Sequence, residues 1–382
     1  MRVAPARVGR LLRSWRREPQ TRTERRDSLN AVLPEGRRGT VAMPAEWSPE
    51  LRRGTDARFR VRYELAGLEG APLLVAMGGI SADRHICANL PDPAPGWWRK
   101  LAGPGLAIDT NRWRLLAIDF LGSPGTLEST GSGDPSKGPS PDRIHLTPGD
   151  QADAVAVALR HLGVERAHRM LGASYGGMVA LAMGIRHPAR LDGVVLIGAA
   201  HRGHPQAIGI HAVQRWIVEF ALRHGRGSEG VALARALAFT TYKSAAGLDA
   251  RFPHDWEWED GAPVYAVGRY LEKQGREFAE RFEAETYLTL SASVDLCDLR
   301  PEDLGVPAWL IGWEEDTLVP PWLLRETASR MGAPSHLRVL NSDAGHDAFL
   351  LHAPDYQEAL RTSLSAPARG LPQTAGNARA AG

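Results

Sequence analysis

Short apolar runs and helical patterns alternate over most of the chain. Charged and apolar residues alternate from 58 to 65, which predicts a half-exposed strand. Uninterrupted apolar runs predict further strands covered on both faces, at 73–77, 115–118, 194–197 and 308–311. A one-sided apolar pattern over 154–162 predicts a helix that ends at Gly163. This order of elements favours an α/β fold with a mostly parallel, doubly wound sheet.

The middle of the chain has a different pattern. From about Pro205 to Asp303 the strand-like runs vanish, and helical patterns such as 210–223 and 231–239 replace them. We therefore expect a helical lid over 205–303, inserted into a core formed by 46–204 and 304–366. The Gly-, Ser- and Pro-rich stretch 121–148 and the stretch 89–105 are expected to be loops that border the site.

Both ends lack apolar periodicity. Residues 1–45 are rich in arginine, a composition that resembles a transit peptide but favours a disordered extension, or a start drawn too early with Met43 as the true beginning. Residues 367–382 consist mainly of Ala, Gly, Pro and Arg and predict a disordered tail. We assign no chemistry to either segment.

The bulk composition restricts the partners and the location. Lys plus Arg number 46 against 44 Asp plus Glu, so no strong field for nucleic acid is expected, and a small-molecule partner is favoured. The two cysteines, Cys87 and Cys297, are too few for a disulfide framework and suit a reducing cytoplasm. The longest apolar run, 191–200, is half the length needed to cross a bilayer, so no membrane association is predicted.

The sharpest chemical signal is GASYGG at 172–177. It matches the G-x-S-x-G nucleophile elbow, in which a strand turns abruptly into a helix and leaves a strained serine exposed. Gly172 and Gly176 are required because a Cβ at either position would collide in so tight a turn. Ser174 is therefore the predicted nucleophile, and the N–H of Tyr175 a predicted oxyanion donor. This motif favours the α/β-hydrolase fold.

A serine nucleophile needs a base that a carboxylate orients, and in this fold the order along the chain is Ser, Asp or Glu, then His. Asp316 follows the strand 308–311, and His346 follows the strand predicted at 337–340, so both are predicted at carboxyl ends of strands. The alternatives to Asp316 are Glu314, Glu315 and Asp343. The second oxyanion donor is expected from the loop after 73–77, from the N–H of Ile80.

Two other arrangements compete with this triad. His201, His204 and His211 lie close in sequence and suggest metal ligation, but no matching Cys or carboxylate spacing accompanies them. Cys87 is a conceivable nucleophile, but no elbow surrounds it, which favours a packed thiol. We therefore predict no metal and no cofactor.

Four longer segments resemble one known family, the homoserine O-acyltransferases. They are 96–125, the continuation of the elbow as SYGGMVAL, 270–299, and GHDAFLLH at 345–352, in the family's order over roughly 57–360. The resemblance implies a ping-pong reaction in which Ser174 takes an acyl group from acyl-CoA and the hydroxyl of L-homoserine accepts it. It also implies a homodimer formed through the lid.

The same resemblance assigns three substrate contacts. Arg215 matches the family's arginine that faces the substrate carboxylate, Asp347 the carboxylate that contacts the amino group, and Tyr242 a further family position. Each has a structural alternative: a helix arginine is usually solvated, and Asp347 is suited to capping the following helix.

The sequence also departs from the family's usual pattern. Ala173 and Tyr175 replace its usual elbow residues, and GGIS at 78–81 replaces its oxyanion segment. The form GISADRH at 79–85 resembles a branch that uses succinyl-CoA, with Arg84 or His85 meeting the succinyl carboxylate. Homoserine O-succinyltransferase in L-methionine biosynthesis is therefore our hypothesis. The alternatives are homoserine O-acetyltransferase, serine O-acyltransferase, an ester or thioester hydrolase on the same triad, and a non-catalytic binding protein.

Overall fold

The computed structural model describes residues 33–51, 57–128, 143–252 and 254–366. The strands are β1 (Gly36–Ala42), β2 (Arg58–Gly67), β3 (Leu73–Met77), β4 (Ala102–Gly103), β5 (Ile108–Asp109), β6 (Arg114–Ile118), β7 (Leu127–Glu128), β8 (Arg169–Ala173), β9 (Val194–Ile197), β10 (Trp256–Glu259), β11 (Ala262–Tyr265), β12 (Ala308–Trp313) and β13 (Ser335–Leu340). The helices are α1 (Pro148–His161), α2 (Tyr175–Arg186), α3 (Pro205–Arg223), α4 (Gly227–Tyr242), α5 (Ala245–Arg251), α6 (Ala266–Ala279), α7 (Ala284–Asp295), α8 (Pro321–Ser329) and α9 (Pro354–Ser365).

One large sheet organises the core. Its strand order is β1-β2-β6-β3-β8-β9-β12-β13, with β7 paired to β2. The pairs from β6 to β13 are parallel, whereas β2 is antiparallel to β1, β6 and β7. The predicted doubly wound sheet is therefore confirmed. Its parallel strands bring their carboxyl ends to one edge, where ligands bind in open α/β sheets.

Both faces of the sheet are covered. The side chains of β3, β6, β8 and β9 alternate between two apolar clusters. One cluster includes α1 and α2, and the other includes α9 and the fully buried Trp98. Such burial explains why the central strands are continuous apolar runs.

The segment 205–303 forms a separate helical layer. Helices α3, α4, α6 and α7 enclose a small apolar core built on Val218, Val231, Phe278 and Tyr287. The expectation that this segment lacks strands was wrong, because β10 and β11 form an antiparallel hairpin. Among the described residues, no helix is both long and apolar enough to cross a membrane.

The predicted disordered extension 1–45 needs a correction. Its residues 36–42 form β1, the edge strand of the sheet, in register with β2. Gly39 permits this pairing, since a Cβ there would lie 2.2 Å from the Tyr63 hydroxyl. Residues 1–32 of that extension and the predicted tail, 367–382, lie outside the described residues.

Candidate active site

Ser174 occupies the turn between β8 and α2. Its backbone has φ 54° and ψ −122°, a strained conformation for a residue with a side chain. The neighbouring glycines make the turn possible: a Cβ on Gly172 would lie 2.0 Å from the Gly176 carbonyl, and one on Gly176 would lie 2.3 Å from the Met77 carbonyl. The strand, turn and helix predicted from the motif are all present, and Ser174 is partly exposed at the top of the sheet.

His346 links the serine to a buried carboxylate. Its Nε2 lies 2.8 Å from Ser174 Oγ, and its Nδ1 lies 2.7 Å from Asp316 Oδ2. The other Asp316 oxygen accepts the backbone N–H groups of Leu318 and Val319, each at 2.9 Å. Asp316 is thus held rigidly, so it fixes both the orientation of the ring and the nitrogen that faces Ser174.

The other acidic residues weighed for this position lie elsewhere. Glu314 pairs with an arginine of α8, and Glu315 accepts a backbone N–H from the loop after β13. The backbone carbonyl of Asp343 accepts a serine hydroxyl of the lid. Among the described residues, Asp316 is the carboxylate that bonds to His346.

The surroundings of His346 make it a stronger base than an ordinary histidine. Burial pulls its pKa down, but the charge and hydrogen bond of Asp316, together with the charge of Asp347, outweigh burial and raise the pKa. A raised pKa suits a group that must hold a proton briefly during acyl transfer.

The two residues predicted to supply the oxyanion donors lie next to Ser174 in the chain or in space. The N–H of Tyr175 begins α2, and Ile80 follows β3 in a loop that lines the same cavity as Ser174. A Cβ on Gly79 would lie 3.7 Å from Ser174 Cβ, so this loop contacts the serine closely. Gly176 N–H donates to the Gly78 carbonyl at 2.9 Å and fixes the loop against the elbow.

A cavity of about 260 Å³ opens above the serine. The core contributes the loop after β3, Trp97 and Met178, and the lid contributes residues of α3, α4 and α7. Of the two loops expected to border the site, 89–105 does so through Trp97. The residues 129–142 of the other loop lie outside the described chain.

One wall of this cavity carries Arg235, Tyr242 and Asp347. Arg235 donates to the Tyr242 hydroxyl at 3.1 Å and lies over the Phe278 ring at 4.4 Å. Arg235 Nε is buried without a hydrogen-bond partner, and among the described residues no carboxylate pairs with this guanidinium. Asp347 pairs with Lys243 at 3.1 Å. This wall therefore offers an uncompensated positive charge beside a carboxylate, as an amino acid requires.

Arg215 does not occupy the position expected from the family resemblance. It donates to Asp295 at 2.6 Å and to the backbone carbonyl of Ser291, and it is not among the residues that line the cavity. Arg235, unlike Arg215, lines the cavity, beside Tyr242 and Asp347. The sequence held a signal for it, since Arg235 precedes Tyr242 by seven residues, which places both on one face of a helix.

Arg84 and His85 do not reach the cavity either. Arg84 forms an ion pair with Asp119, and His85 bonds to Glu64 at 2.8 Å and to the Ala94 carbonyl. Neither residue lines the cavity, so the expectation that one of them meets an acyl carboxylate lacks support from the geometry.

The three histidines considered as metal ligands do not come together. His201 bonds to Thr327, His204 to the Thr317 carbonyl and His211 to Asp295, each at a separate place. In the described part of the chain, no group of three or more His, Cys, Asp or Glu residues is arranged to hold a metal ion.

Cys87 is likewise unsuited to act as the nucleophile. Its side chain is buried, and burial together with the charge of Glu64 raises the pKa of its thiol to about 12. A thiol that stays protonated is a poor nucleophile.

Comparisons with known proteins identify the fold and the family. A family model described as alpha/beta hydrolase fold matches residues 72–353. A homoserine O-succinyltransferase of Xanthomonas campestris is 37% identical over 314 residues, covering 82% of this chain and 81% of the relative. A serine O-succinyltransferase of Stenotrophomonas maltophilia is 33% identical, covering 88% of this chain and 100% of the relative.

The structure of a homoserine O-acetyltransferase from Bacillus anthracis superposes with a TM-score of 0.77 at 18% identity, covering 88% of this chain and 100% of that one. The chain is therefore an acyltransferase that belongs to the homoserine O-acyltransferase family, on the α/β-hydrolase fold.

Proposed function

We propose that this protein transfers a succinyl group from succinyl-CoA to the hydroxyl of L-homoserine, as a step of L-methionine biosynthesis, through an acyl-Ser174 intermediate. The observation that carries the proposal is the Ser174–His346–Asp316 chain at the floor of a cavity whose wall holds an unpaired arginine. The Ser174–His346–Asp316 chain supplies a nucleophile, and the wall with the arginine supplies a site for a charged acceptor.

In the first half-reaction, His346 Nε2 takes the proton from Ser174 Oγ while that oxygen attacks the thioester carbonyl. The N–H groups of Ile80 and Tyr175 receive the developing oxyanion. The C–S bond then breaks, and the proton on His346 passes to the CoA thiolate. CoA leaves, and Ser174 carries the acyl ester.

In the second half-reaction the acceptor enters on the wall that carries Arg235. Arg235 and Tyr242 bind its carboxylate, and Asp347 exchanges Lys243 for the substrate ammonium. His346 then takes the proton of the acceptor hydroxyl, whose oxygen attacks the acyl ester. The ester bond to Ser174 breaks and the serine regains a proton from His346. The helices of the lid exclude water, which favours transfer over hydrolysis.

The acceptor and the acyl group define the alternatives. The relatives include a serine O-succinyltransferase, and a homoserine O-acetyltransferase shares the fold, so serine as acceptor and acetyl as acyl group are the second candidates. Both use the same triad and the same wall.

We further propose a cytoplasmic enzyme that works as a homodimer, with acyl-CoA as co-substrate and no bound cofactor. Two buried, unpaired cysteines suit a reducing compartment.

The test is an incubation of the full-length protein with succinyl-CoA or acetyl-CoA, each with homoserine, with serine and with no amino acid. CoA release and the mass of the products are followed. We expect succinyl-homoserine to form, and CoA release to depend on homoserine. Ser174→Ala should lower turnover by about four to six orders of magnitude. Equal CoA release with and without an amino acid would instead identify a thioesterase.

A further inference from the structure

The cavity has a second polar wall that the reaction described above does not use. It consists of Arg202, His211 and Asp295, which all line the cavity, and of Arg215 behind them. We name these four residues the His211 cluster. Asp295 is its centre: one carboxylate oxygen accepts from His211 Nδ1 at 2.7 Å, and the other accepts from Arg215 at 2.6 Å.

The His211 cluster adjoins the helix of the nucleophile. Met178, one turn beyond Ser174 on α2, lines the cavity together with Val294, the neighbour of Asp295 on α7. The hydroxyl of Tyr175, the residue after the nucleophile, is hydrogen-bonded to Ser293 of α7. The end of α7 therefore packs directly against the elbow.

The wall proposed for the amino acid lies beside the base instead. The Tyr242 ring centroid is 6.2 Å from that of His346, and Arg235 lies 5.0 Å from the Tyr242 ring. An acceptor hydroxyl must reach His346, so the amino acid belongs at this wall. The acyl chain is attached to Ser174 and belongs at the elbow, next to the His211 cluster.

The charges of the cluster leave a place for an anion. Arg215 compensates Asp295, and Arg202 pairs with Glu326 at 2.8 Å. His211 Nε2 has no hydrogen-bond partner among the described residues. Because Asp295 already bonds to Nδ1, a carboxylate bound at Nε2 places the ring between two carboxylates, where both nitrogens donate. A carboxylate is the matching partner for the Nε2 N–H.

We propose that the His211 cluster binds the distal carboxylate of a dicarboxylic acyl group, with His211 Nε2 as its donor and the guanidinium of Arg202, shared with Glu326, as a second contact. This rests on the proposed function and assigns residues that recognise the second carboxylate of the succinyl group. His211 is thus a residue that determines acyl specificity. The acyl chain of an acetyl or butyryl group carries nothing that this wall can bind.

The experiment compares succinyl-CoA with butyryl-CoA, which has the same chain length and no distal carboxylate. Single-turnover formation of the acyl-enzyme is measured without any amino acid, by intact-protein mass against time and donor concentration. The variant is His211→Gln, whose amide can still donate to Asp295. The matched control is His224→Gln, at the exposed end of the same helix. Arg202→Gln tests the second contact.

In the wild-type protein we expect succinyl-CoA to react faster than butyryl-CoA. In His211→Gln the succinyl-to-butyryl ratio should fall about 10- to 100-fold, the loss typical of a hydrogen bond to a charged group. Butyryl transfer should stay within about twofold, which also shows that the variant is folded. His224→Gln should match the wild type, and Arg202→Gln should lower the ratio.

An unchanged ratio in His211→Gln, or a wild-type preference for butyryl-CoA, would overturn the assignment while leaving acyl transfer intact. Failure of the wild-type protein to form an acyl-enzyme with either donor would instead reject the proposed function, and the assignment with it. The two failures are therefore distinguishable.

Discussion

Arg235 lines the cavity with part of its hydrogen-bonding capacity unused. Its Nε is buried without a hydrogen-bond partner. The aromatic rings of Phe239, Tyr242 and Phe278 contact its guanidinium. A desolvated guanidinium gains most from a carboxylate that binds through two oxygens. We therefore predict that Arg235→Gln raises KM for the amino acid and lowers kcat/KM in the second half-reaction about 10- to 1000-fold. Acyl-enzyme formation should stay within a few-fold of the wild type.

The measurement is steady-state kinetics with varied homoserine, combined with single-turnover acylation. Arg223→Gln, at the end of α3, is a matched control that removes an arginine outside the cavity. Arg235→Lys keeps the charge but loses the planar fork, so it should recover part of the activity. If Arg235→Gln slowed both half-reactions equally, its assignment to the acceptor carboxylate would be wrong.

The protonation of His346 should make the rate of acylation depend on pH. Its pKa is raised above the ordinary value because the charge and hydrogen bond of Asp316 and the charge of Asp347 outweigh burial. Only the neutral ring accepts the serine proton, so acylation should fall as pH decreases through this raised pKa. Removal of the charge in Asp347→Asn should shift the acid limb to lower pH. The rate of acyl-enzyme formation without amino acid measures this effect apart from acceptor binding.

The neutral variant Asp343→Asn, on the same loop, controls for changes in loop structure. We expect it to keep the wild-type midpoint, because Asp343 is not among the groups that raise the pKa of His346. A midpoint in Asp347→Asn that equals or exceeds the wild-type value would contradict the electrostatic argument.

Several parallel strands were predictable because burial on both faces requires an unbroken apolar run. The elbow was predictable from a different signal, the two glycines that flank Ser174. β1 was not predictable in this way, since an edge strand is stabilised by backbone pairing with β2 and its side chains are largely exposed. The β10–β11 hairpin was not predicted for a similar reason: its side chains are almost all exposed, so no apolar run marks the two strands. Arg215 and Arg235 both lie on lid helices, and which of them faces the cavity depends on how the helices pack, which no local pattern specifies.

Asp153 on α1 joins three parts of the core. It accepts one hydrogen bond from Trp47 and two from Arg186, and it bonds to His187 at 2.8 Å. Burial raises the pKa of Asp153, but the bonds to these three residues outweigh it and lower the pKa to about 2. A depressed pKa means that the carboxylate stabilises the fold above its unfolded value of about 4, and that this contribution is lost as pH falls through about 2.

We therefore expect Asp153→Asn to lower the free energy of unfolding by about 1–2 kcal/mol at pH 7 and by less at pH 3. Urea denaturation at the two pH values measures the difference. Asp192→Asn, which breaks an exposed pair with Arg166, is the control and should cost less than about 1 kcal/mol at either pH. Equal losses for Asp153→Asn at both pH values would show that packing, and not ionisation, explains its effect.

The sheet and the lid contribute different groups to the proposed reaction. The sheet supplies the groups that make and break bonds, since Ser174, Asp316 and His346 all follow its strands. In the proposed reaction the lid supplies most of the charged groups that bind substrates, namely Arg235 on α4, His211 and Arg215 on α3, and Asp295 on α7. Changes in the lid should therefore alter which acyl group and which acceptor are used while leaving the triad intact.

The outer face of the lid also bears on assembly. Val213, Trp216 and Phe220 form a stripe along α3, exposed by 40%, 64% and 60%. Aromatic side chains at this spacing on a surface helix are typical of an interface, because each buries a large apolar area on contact. The homodimer expected from the family resemblance should therefore form through this stripe, with a second copy of the chain as its occupant.

Trp216→Glu is predicted to convert the dimer into a monomer, because a carboxylate would be buried unpaired on each side of the contact. Light scattering after size-exclusion chromatography gives the mass directly, at several protein concentrations. Leu68→Glu changes another exposed apolar residue, in the turn after β2; it is the control and should leave the mass unchanged. A wild-type monomer, or a Trp216→Glu variant of unchanged dimeric mass, would show that α3 does not form the contact. Since α3 also carries His211, a monomeric variant with weakened succinyl preference would indicate that dimer formation holds the acyl-binding wall in place.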